Sequence, residues 1–293
     1  MTAESSFRHY VRVIRHFVST RAPEVLALQA SPLLGIFFGG FGLERWSMIR
    51  LGLLLVGSLA LTAHIFVFND WAGYSSDLRD PRRMTRVVAR QGISRRQVAH
   101  VAIGLLLIAY IAFGALGKLA IVLGTAIVAL SLLYSCSPSF GKGTPIAGSI
   151  NHLLGGALHF LLGYSVAHTL DARALVSSLF FGLVFTGGHL NQEVRDYEGD
   201  VLNGISTNAV VFGRERTFLA SLCMFTAAYA LLAGLAALGI LPGLLLWSPL
   251  VWLVHVAWFV RALQRGLEFE TALWMQRRYR LLFALIGLAM LVR

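Results

Sequence analysis

Apolar residues fill this chain in stretches close to 20 residues long, separated by short segments that carry most of its charge. A helix of that length crosses the hydrocarbon core of a bilayer with every backbone hydrogen bond satisfied internally. The pattern predicts nine spans, at about 26–43, 46–68, 97–114, 118–135, 145–167, 172–190, 217–238, 243–262 and 279–292. The expected fold class is therefore all-α, a polytopic membrane protein. Residues 1–21 are different: Arg8, Arg12, Arg15 and Arg21 lie among polar and aromatic positions. They predict a basic amphipathic helix on the membrane surface, and they do not resemble a cleavable signal.

Composition agrees with the spans. Of 293 residues, 57% are hydrophobic and only 13% charged, which leaves little room for a soluble fold. The 25 Lys and Arg residues are distributed unevenly. With the N-terminus in the cytoplasm, the inner segments hold four (1–21), seven (69–96), one (Lys142), three (191–216) and five (261–280). The outer side keeps Arg45, Arg50, Lys118, Arg173 and Arg293. This 20 to 5 split follows the positive-inside rule and places the C-terminus on the opposite side. A basic face of this kind suits anionic headgroups and anionic substrates, whereas basic residues interleaved with apolar spans argue against nucleic acid. Cys136 and Cys223 have no metal-binding spacing and read as structural.

Seven of the fourteen acidic residues fall in two clusters, NDWAGYSSDLRD (Asn69 to Asp80) and QEVRDYEGD (Gln192 to Asp200). Asn69 and Asp70 are followed by Gly73 and Asp77, and Gln192 and Glu193 by Asp196 and Asp200. Positions i, i+3 and i+7 share one face of a helix, so each cluster is expected to aim its acids in one direction. Both follow spans that end on the inner side, so they should face each other.

Carboxylates at a membrane boundary cost a few kcal/mol unless paired, hydrated or metal-bound. An oxygen-only donor set with no His or Cys among it suits Mg²⁺ and disfavours zinc. Opposed carboxylates beside basic loops then suggest a cation bridging to a diphosphate, with Arg and Lys on the remaining oxygens. A lipid chain on that diphosphate would account for the apolar surroundings.

These residues resemble the UbiA superfamily of intramembrane prenyltransferases. Asn69, Asp70 and Asp77 match its NDxxDxxxD motif, and Glu193, Asp196, Glu198, Gly199 and Asp200 match DxxDxEGD with Glu leading. YSCSPSFGK places Tyr134, Ser135, Pro138 and Lys142 like the family's YSxPPxRLK, and DPRRMTRVVARQGIS is similar to its basic stretch ending RPLxxGxIS. The resemblance implies one transmembrane domain over 1–293, with nine transmembrane helices around a central cavity and active-site loops at 69–96 and 191–216. It implies Mg²⁺ at Asn69, Asp70, Asp77, Glu193, Asp196 and Asp200, and catalytic roles for Asp70, Asp77, Asp196 and Asp200. Arg82, Arg86, Tyr134 and Lys142 would contact the diphosphate. The implied reaction draws off diphosphate to leave an allylic cation, which an aromatic or related ring acceptor attacks while water is excluded.

The chain departs from the family pattern at Gly73, which replaces a motif Asp, at Val87, which replaces the RPL proline, and at Phe140, which replaces an Arg. Asp80, two turns beyond Gly73, is a candidate substitute. His64, Asn151, His189 and Asn191 are candidate cavity residues. Two other functions fit the same features. A terpene cyclase of the superfamily would act on farnesyl or geranylgeranyl diphosphate without an acceptor, and an ion-coupled transporter would use the acids as ion sites.

Overall fold

The computed structural model describes residues 3–74 and 92–292, with side-chain exposure from residue 10 onward. The described residues form helices α1 (Ala3–Leu28), α2 (Ala30–Phe38), α3 (Arg45–Ala72), α4 (Arg95–Leu116), α5 (Lys118–Cys136) and α6 (Ala147–Ala167). They continue as α7 (Ala172–Leu202), α8 (Asn208–Phe212), α9 (Arg214–Ala237), a 3-10 turn at Gly243–Trp247, α10 (Ser248–Gln264) and α11 (Phe269–Ala289).

Each expected span falls largely on helix, the first on the end of α1 together with α2. Helix length and hydropathy support a narrower statement than nine crossings. Among the described residues, six helices are long and apolar enough to cross a membrane: α3, α4, α5, α7, α9 and the run Gly243–Gln264. At nine residues α2 is short. Polar side chains lower the hydropathy of the remaining candidates, such as Asn151, His152 and His159 in α6 and Arg277, Arg278 and Arg280 in α11. Large apolar side chains on outward faces stay open to lipid, Ile111 of α4 being 74% exposed.

The basic N-terminal segment does not lie alone on a surface. It is continuous with the start of the first apolar stretch in α1, and its Val13 and Phe17 are buried against Val67, Ile93, Val98 and Ala102. The two expected loops are also largely helical where described. Asn69 to Ala72 complete α3, and residues 191–202 extend α7 by about three turns beyond its apolar part.

Packing depends on small residues where helices cross, as expected when lipid tails supply no hydrophobic drive between helices. A Cβ on Gly163 of α6 would stand 2.6 Å from the carbonyl carbon of Pro32 in α2. The ring of Phe113 lies between Gly57 of α3 and Gly124 of α5, where a Cβ would meet it at 2.5 and 2.8 Å. The junction between α1 and α2 is fixed by buried Gln29. Its Oε1 accepts from Ser58 Oγ at 2.6 Å, and its Nε2 donates to the Val25 carbonyl at 2.9 Å.

Candidate active site

The ends of α1, α3, α5, α7 and α11 enclose a cavity of about 1420 Å³. Asn69 and Asp70 of α3 border it, as do Glu193, Asp196 and Asp200 of α7, Tyr134 of α5 and Lys142. The two acidic clusters therefore share one space. Asp77, Asp80, Arg82 and Arg86 lie outside the described residues.

The helix that carries Asn69 and Asp70 ends before Asp77. Gly73 caps α3, its N–H donating to the Asn69 carbonyl while the Tyr74 N–H donates to that of Trp71, so the helical register that would lead from Asp70 toward Asp77 ends at Ala72. Glycine is a common helix terminator because it carries no side chain to continue the packing and little helix propensity. Asp70, 8% exposed, is matched by an ion pair with Arg21 of α1. The guanidinium reaches both carboxylate oxygens, with Nε 3.1 Å from Oδ2, and lies over the Phe66 ring. Arg21, expected in an amphipathic helix on the membrane surface, is thus a member of the site. The only signal for it was a charged Arg21–Glu24 step at the start of an apolar run.

The second cluster lies wholly within α7, and three of its acids each have a partner of their own. Arg195 donates Nε and Nη2 to the two oxygens of Asp196, both at 2.8 Å, and its Nη1 reaches Gln276 Oε1 of α11 at 2.6 Å. Arg214 pairs with Glu198 at 2.6 Å. Glu193 is held by Asn208 of α8, whose Nδ2 lies 2.9 and 3.2 Å from its two oxygens. Buried charges persist where such partners are present, which is why an acidic segment continues an apolar helix here.

No sequence motif marks Asn208, yet it joins three elements. Besides Glu193, its Nδ2 reaches Ser149 Oγ of α6 at 3.2 Å, and its Oδ1 accepts from the Ile146 N–H at 2.8 Å. Ile146 has φ 68°, a conformation that a β-branched residue adopts only when its surroundings over-determine it. Both oxygens of Glu193 are engaged, as are those of Asp196, but the Glu193 side chain is 6% exposed against 21% for Asp196, so of the two it is the less open to a metal.

Tyr134 and Lys142 come together through a compact turn, the Lys142 N–H donating to the Tyr134 carbonyl at 2.8 Å. Gly141 allows that closure, since a Cβ there would fall 2.8 Å from the same carbonyl oxygen. His189 borders the cavity, stacked on His152 with ring centroids 3.8 Å apart, while the edge of Tyr134 faces both rings. Its Nε2 is 3.0 Å from Glu193 Oε1, near enough for an ion pair although off the line of a hydrogen bond.

Three expected cavity residues are elsewhere. His64 Nδ1 meets the Ala102 carbonyl at 2.8 Å and joins α3 to α4. Asn151 donates to the Leu130 carbonyl at 2.8 Å, and Asn191 to the Ala272 carbonyl at 3.3 Å. In a membrane protein a polar side chain within a span more often bridges helices than lines a pocket.

Among the described residues, no three His, Cys, Asp or Glu side chains converge closely enough to hold a metal ion by themselves. The oxygen-only donors of Asn69, Asp70, Asp196 and Asp200 around one cavity nevertheless fit Mg²⁺, which commonly takes one or two carboxylates and completes its shell with water and substrate phosphate.

The chain is similar to known proteins over most of its length. It is 26% identical over 247 residues to a 4-hydroxybenzoate octaprenyltransferase of Nitrosospira multiformis, covering 83% of this chain and 80% of that one. It has the fold of a UbiA homologue from Archaeoglobus fulgidus bound to GPP and Mg²⁺, with a TM-score of 0.71 and 21% identity over 97% of this chain and 99% of that one. The apo UbiA homologue of Aeropyrum pernix matches with a TM-score of 0.73 and 17% identity over 91% of this chain and 97% of that one. Residues 30–286 match the UbiA prenyltransferase family, and with that match over most of its length the chain belongs to this family as an integral-membrane prenyltransferase.

Proposed function

We propose that the protein transfers an isoprenyl group from its diphosphate to an aromatic or related ring acceptor, with Mg²⁺ as cofactor. The observation that carries this reading is the shared cavity, in which Asn69 and Asp70 face the acids of α7 beside Lys142. The reading is supported by the Archaeoglobus homologue, which binds GPP and Mg²⁺, and by the Nitrosospira relative, which is named for an aromatic acceptor.

Asn69, Asp70, Asp196 and Asp200 would hold Mg²⁺, with Asp77 joining them from the segment after α3. The bound ion would neutralise the diphosphate and stabilise charge on it as it departs. Lys142 and the Tyr134 hydroxyl would take further phosphate oxygens at the same wall, and Arg82 and Arg86 would add to them. Arg195 holds Asp196 by two hydrogen bonds, so that carboxylate is oriented before substrate arrives. As the bond from carbon to the departing oxygen breaks, the allylic group would be attacked by an electron-rich ring carbon, which then loses its proton. Exclusion of water keeps the cation from being quenched. The 20 to 5 distribution of Lys and Arg over nine spans supports an orientation with the N-terminus and this site on the cytoplasmic side and the C-terminus opposite.

Diphosphate release by the purified protein, with GPP or a longer isoprenyl diphosphate and with or without 4-hydroxybenzoate, tests the proposal. Release should require both Mg²⁺ and the acceptor, and Asp70→Ala and Asp196→Ala should each lower it by about a hundredfold or more. Unchanged activity in both variants would overturn the site. Release without acceptor, accompanied by a terpene hydrocarbon or alcohol, would replace transfer by cyclisation.

A further inference from the structure

Beside the candidate active site, where α11 begins, a second and smaller cleft of about 320 Å³ is lined by Arg265, Glu270, Thr271, Trp274, Arg277 and Arg278. Glu270 and Arg277 border the large cavity as well, so the two spaces share a wall. The cleft sits where α10 ends and α11 begins. Arg261, one turn before Arg265, and Trp258 stand beside it.

Its basic residues differ from those that face the acidic clusters. Arg21, Arg195 and Arg214 each face a carboxylate. Among the described residues, Arg261, Arg265, Arg277 and Arg278 have no carboxylate within ion-pairing distance, although Glu270 is on the same rim. Two of them are held on indole faces instead. Arg278 lies 3.7 Å from the Trp274 ring centroid and 5.7 Å from that of Trp258, and Arg265 lies 5.0 Å from Trp274. Trp258 and Trp274 are themselves packed on the buried cluster of Val194, Phe218, Phe259 and Met275. The indoles are thus a rigid platform that fixes two guanidinium groups close to each other.

Holding like charges together costs free energy. Partial desolvation, and then Arg265 and Arg261, hold the Arg278 guanidinium below its usual range. Topological anchoring needs only exposed charge, and Arg96 and Arg216 provide it without such a platform. A preorganised guanidinium cluster beside a hydroxyl is instead the arrangement that binds phosphate oxygens. Tryptophan at a span end marks headgroup depth.

The geometry points to a binding site for the phosphate of an anionic phospholipid, formed by Arg265, Arg277, Arg278 and Thr271 over Trp274. The site is independent of the proposed acceptor and of Mg²⁺. A lipid seated there would lean on the α11 wall of the large cavity at Arg277.

The test uses the full chain in nanodiscs of phosphatidylcholine with a minor fraction of phosphatidylglycerol, and native mass spectrometry to count the lipids it retains. The wild type should keep phosphatidylglycerol in preference to phosphatidylcholine. Arg265→Gln with Arg278→Gln should reduce that preference by about tenfold. Trp274→Leu, which removes no charge, should reduce it as well. Arg96→Gln with Arg216→Gln, which removes the same charge from the same end, should leave it intact. Should the double variants fail to fold, a photoreactive phosphatidylglycerol on the wild type gives the answer alone, since cross-links should map to residues 265–278. Equal loss in the Arg96 and Arg216 control, an unchanged preference in Trp274→Leu, cross-links spread over all basic segments, or displacement of the lipid by millimolar inorganic phosphate would each overturn the assignment.

Discussion

Asn208 Nδ2 spans both carboxylate oxygens of Glu193, at 2.9 and 3.2 Å, and so ties α8 to the acidic end of α7. The acid that leads the second motif is thereby a structural link more than an open ligand. Glu193 is 6% exposed, so removing the amide leaves a buried carboxylate short of a donor, at a cost of about 1–3 kcal/mol. Asn208→Ala should lower the thermal unfolding midpoint by several degrees in detergent, and Glu193→Gln should do so less. Both should leave the Mg²⁺ concentration for half-maximal diphosphate release near the wild-type value, whereas Asp196→Asn should raise it. A Glu193→Gln variant whose Mg²⁺ requirement rises as far as that of Asp196→Asn would return Glu193 to the metal set.

Arg195 acts on Asp196 by shape as well as charge. Two donors of one planar group meet the two oxygens, while the third nitrogen is anchored on Gln276. Lysine carries the same charge but cannot make this fork. Arg195→Lys should therefore fold yet release diphosphate about tenfold more slowly, with the change in kcat larger than in KM for the isoprenyl diphosphate. Gln276→Leu, which leaves the ion pair and removes its anchor, should give a smaller change in the same direction. If Arg195→Lys retained full kcat, orientation of Asp196 would not be its role.

The donor set sets the choice of metal. Because the candidate ligands offer only oxygen, treatment with a chelator should abolish prenyl transfer, and added Mg²⁺ should restore it. Mn²⁺ should substitute in part, since it accepts the same octahedral oxygen shell. Zn²⁺, which favours nitrogen and sulfur in tetrahedral sites, should restore little. Activity that survives exhaustive chelation would remove the metal from the proposal.

What the sequence revealed follows from how local each signal is. Spans such as α4 and α9 are legible because hydrophobicity accumulates along a contiguous run, and the second acidic motif because Glu193, Asp196 and Asp200 share one unbroken helix. The first motif is less so: its spacing assumes a helix through Asp77, and Gly73 ends that helix at Ala72. Asn208 and Arg21 could not be found by spacing at all. Their partners are 15 and 49 residues away, and only packing of α8 on α7 and of α1 near α3 brings them together. His64, Asn151 and Asn191 lie near the motifs in sequence, but the direction of each side chain is set by the neighbouring helix whose carbonyl it meets.

The crossing of α2 on α6 offers a test of the fold that involves no site residue. A Cβ at Gly163 would stand 2.6 Å from the carbonyl carbon of Pro32 and 2.7 Å from its Cα, and these backbone atoms cannot rotate away as a side chain would. Gly155, two turns earlier on the same helix, has nothing within 4 Å of its notional Cβ. Gly163→Ala should thus force α2 outward and destabilise the protein by about 1–3 kcal/mol. Gly155→Ala, gaining helix propensity with no clash, should be neutral or stabilising by up to about 1 kcal/mol. Because α2 follows α1 through buried Gln29, displacement of α2 should also loosen Arg21 against Asp70 and reduce activity in Gly163→Ala beyond what unfolding explains. Thermal unfolding and diphosphate release measured on both variants check this. Equal behaviour of the two would mean that α2 does not lie against α6 at the separation described.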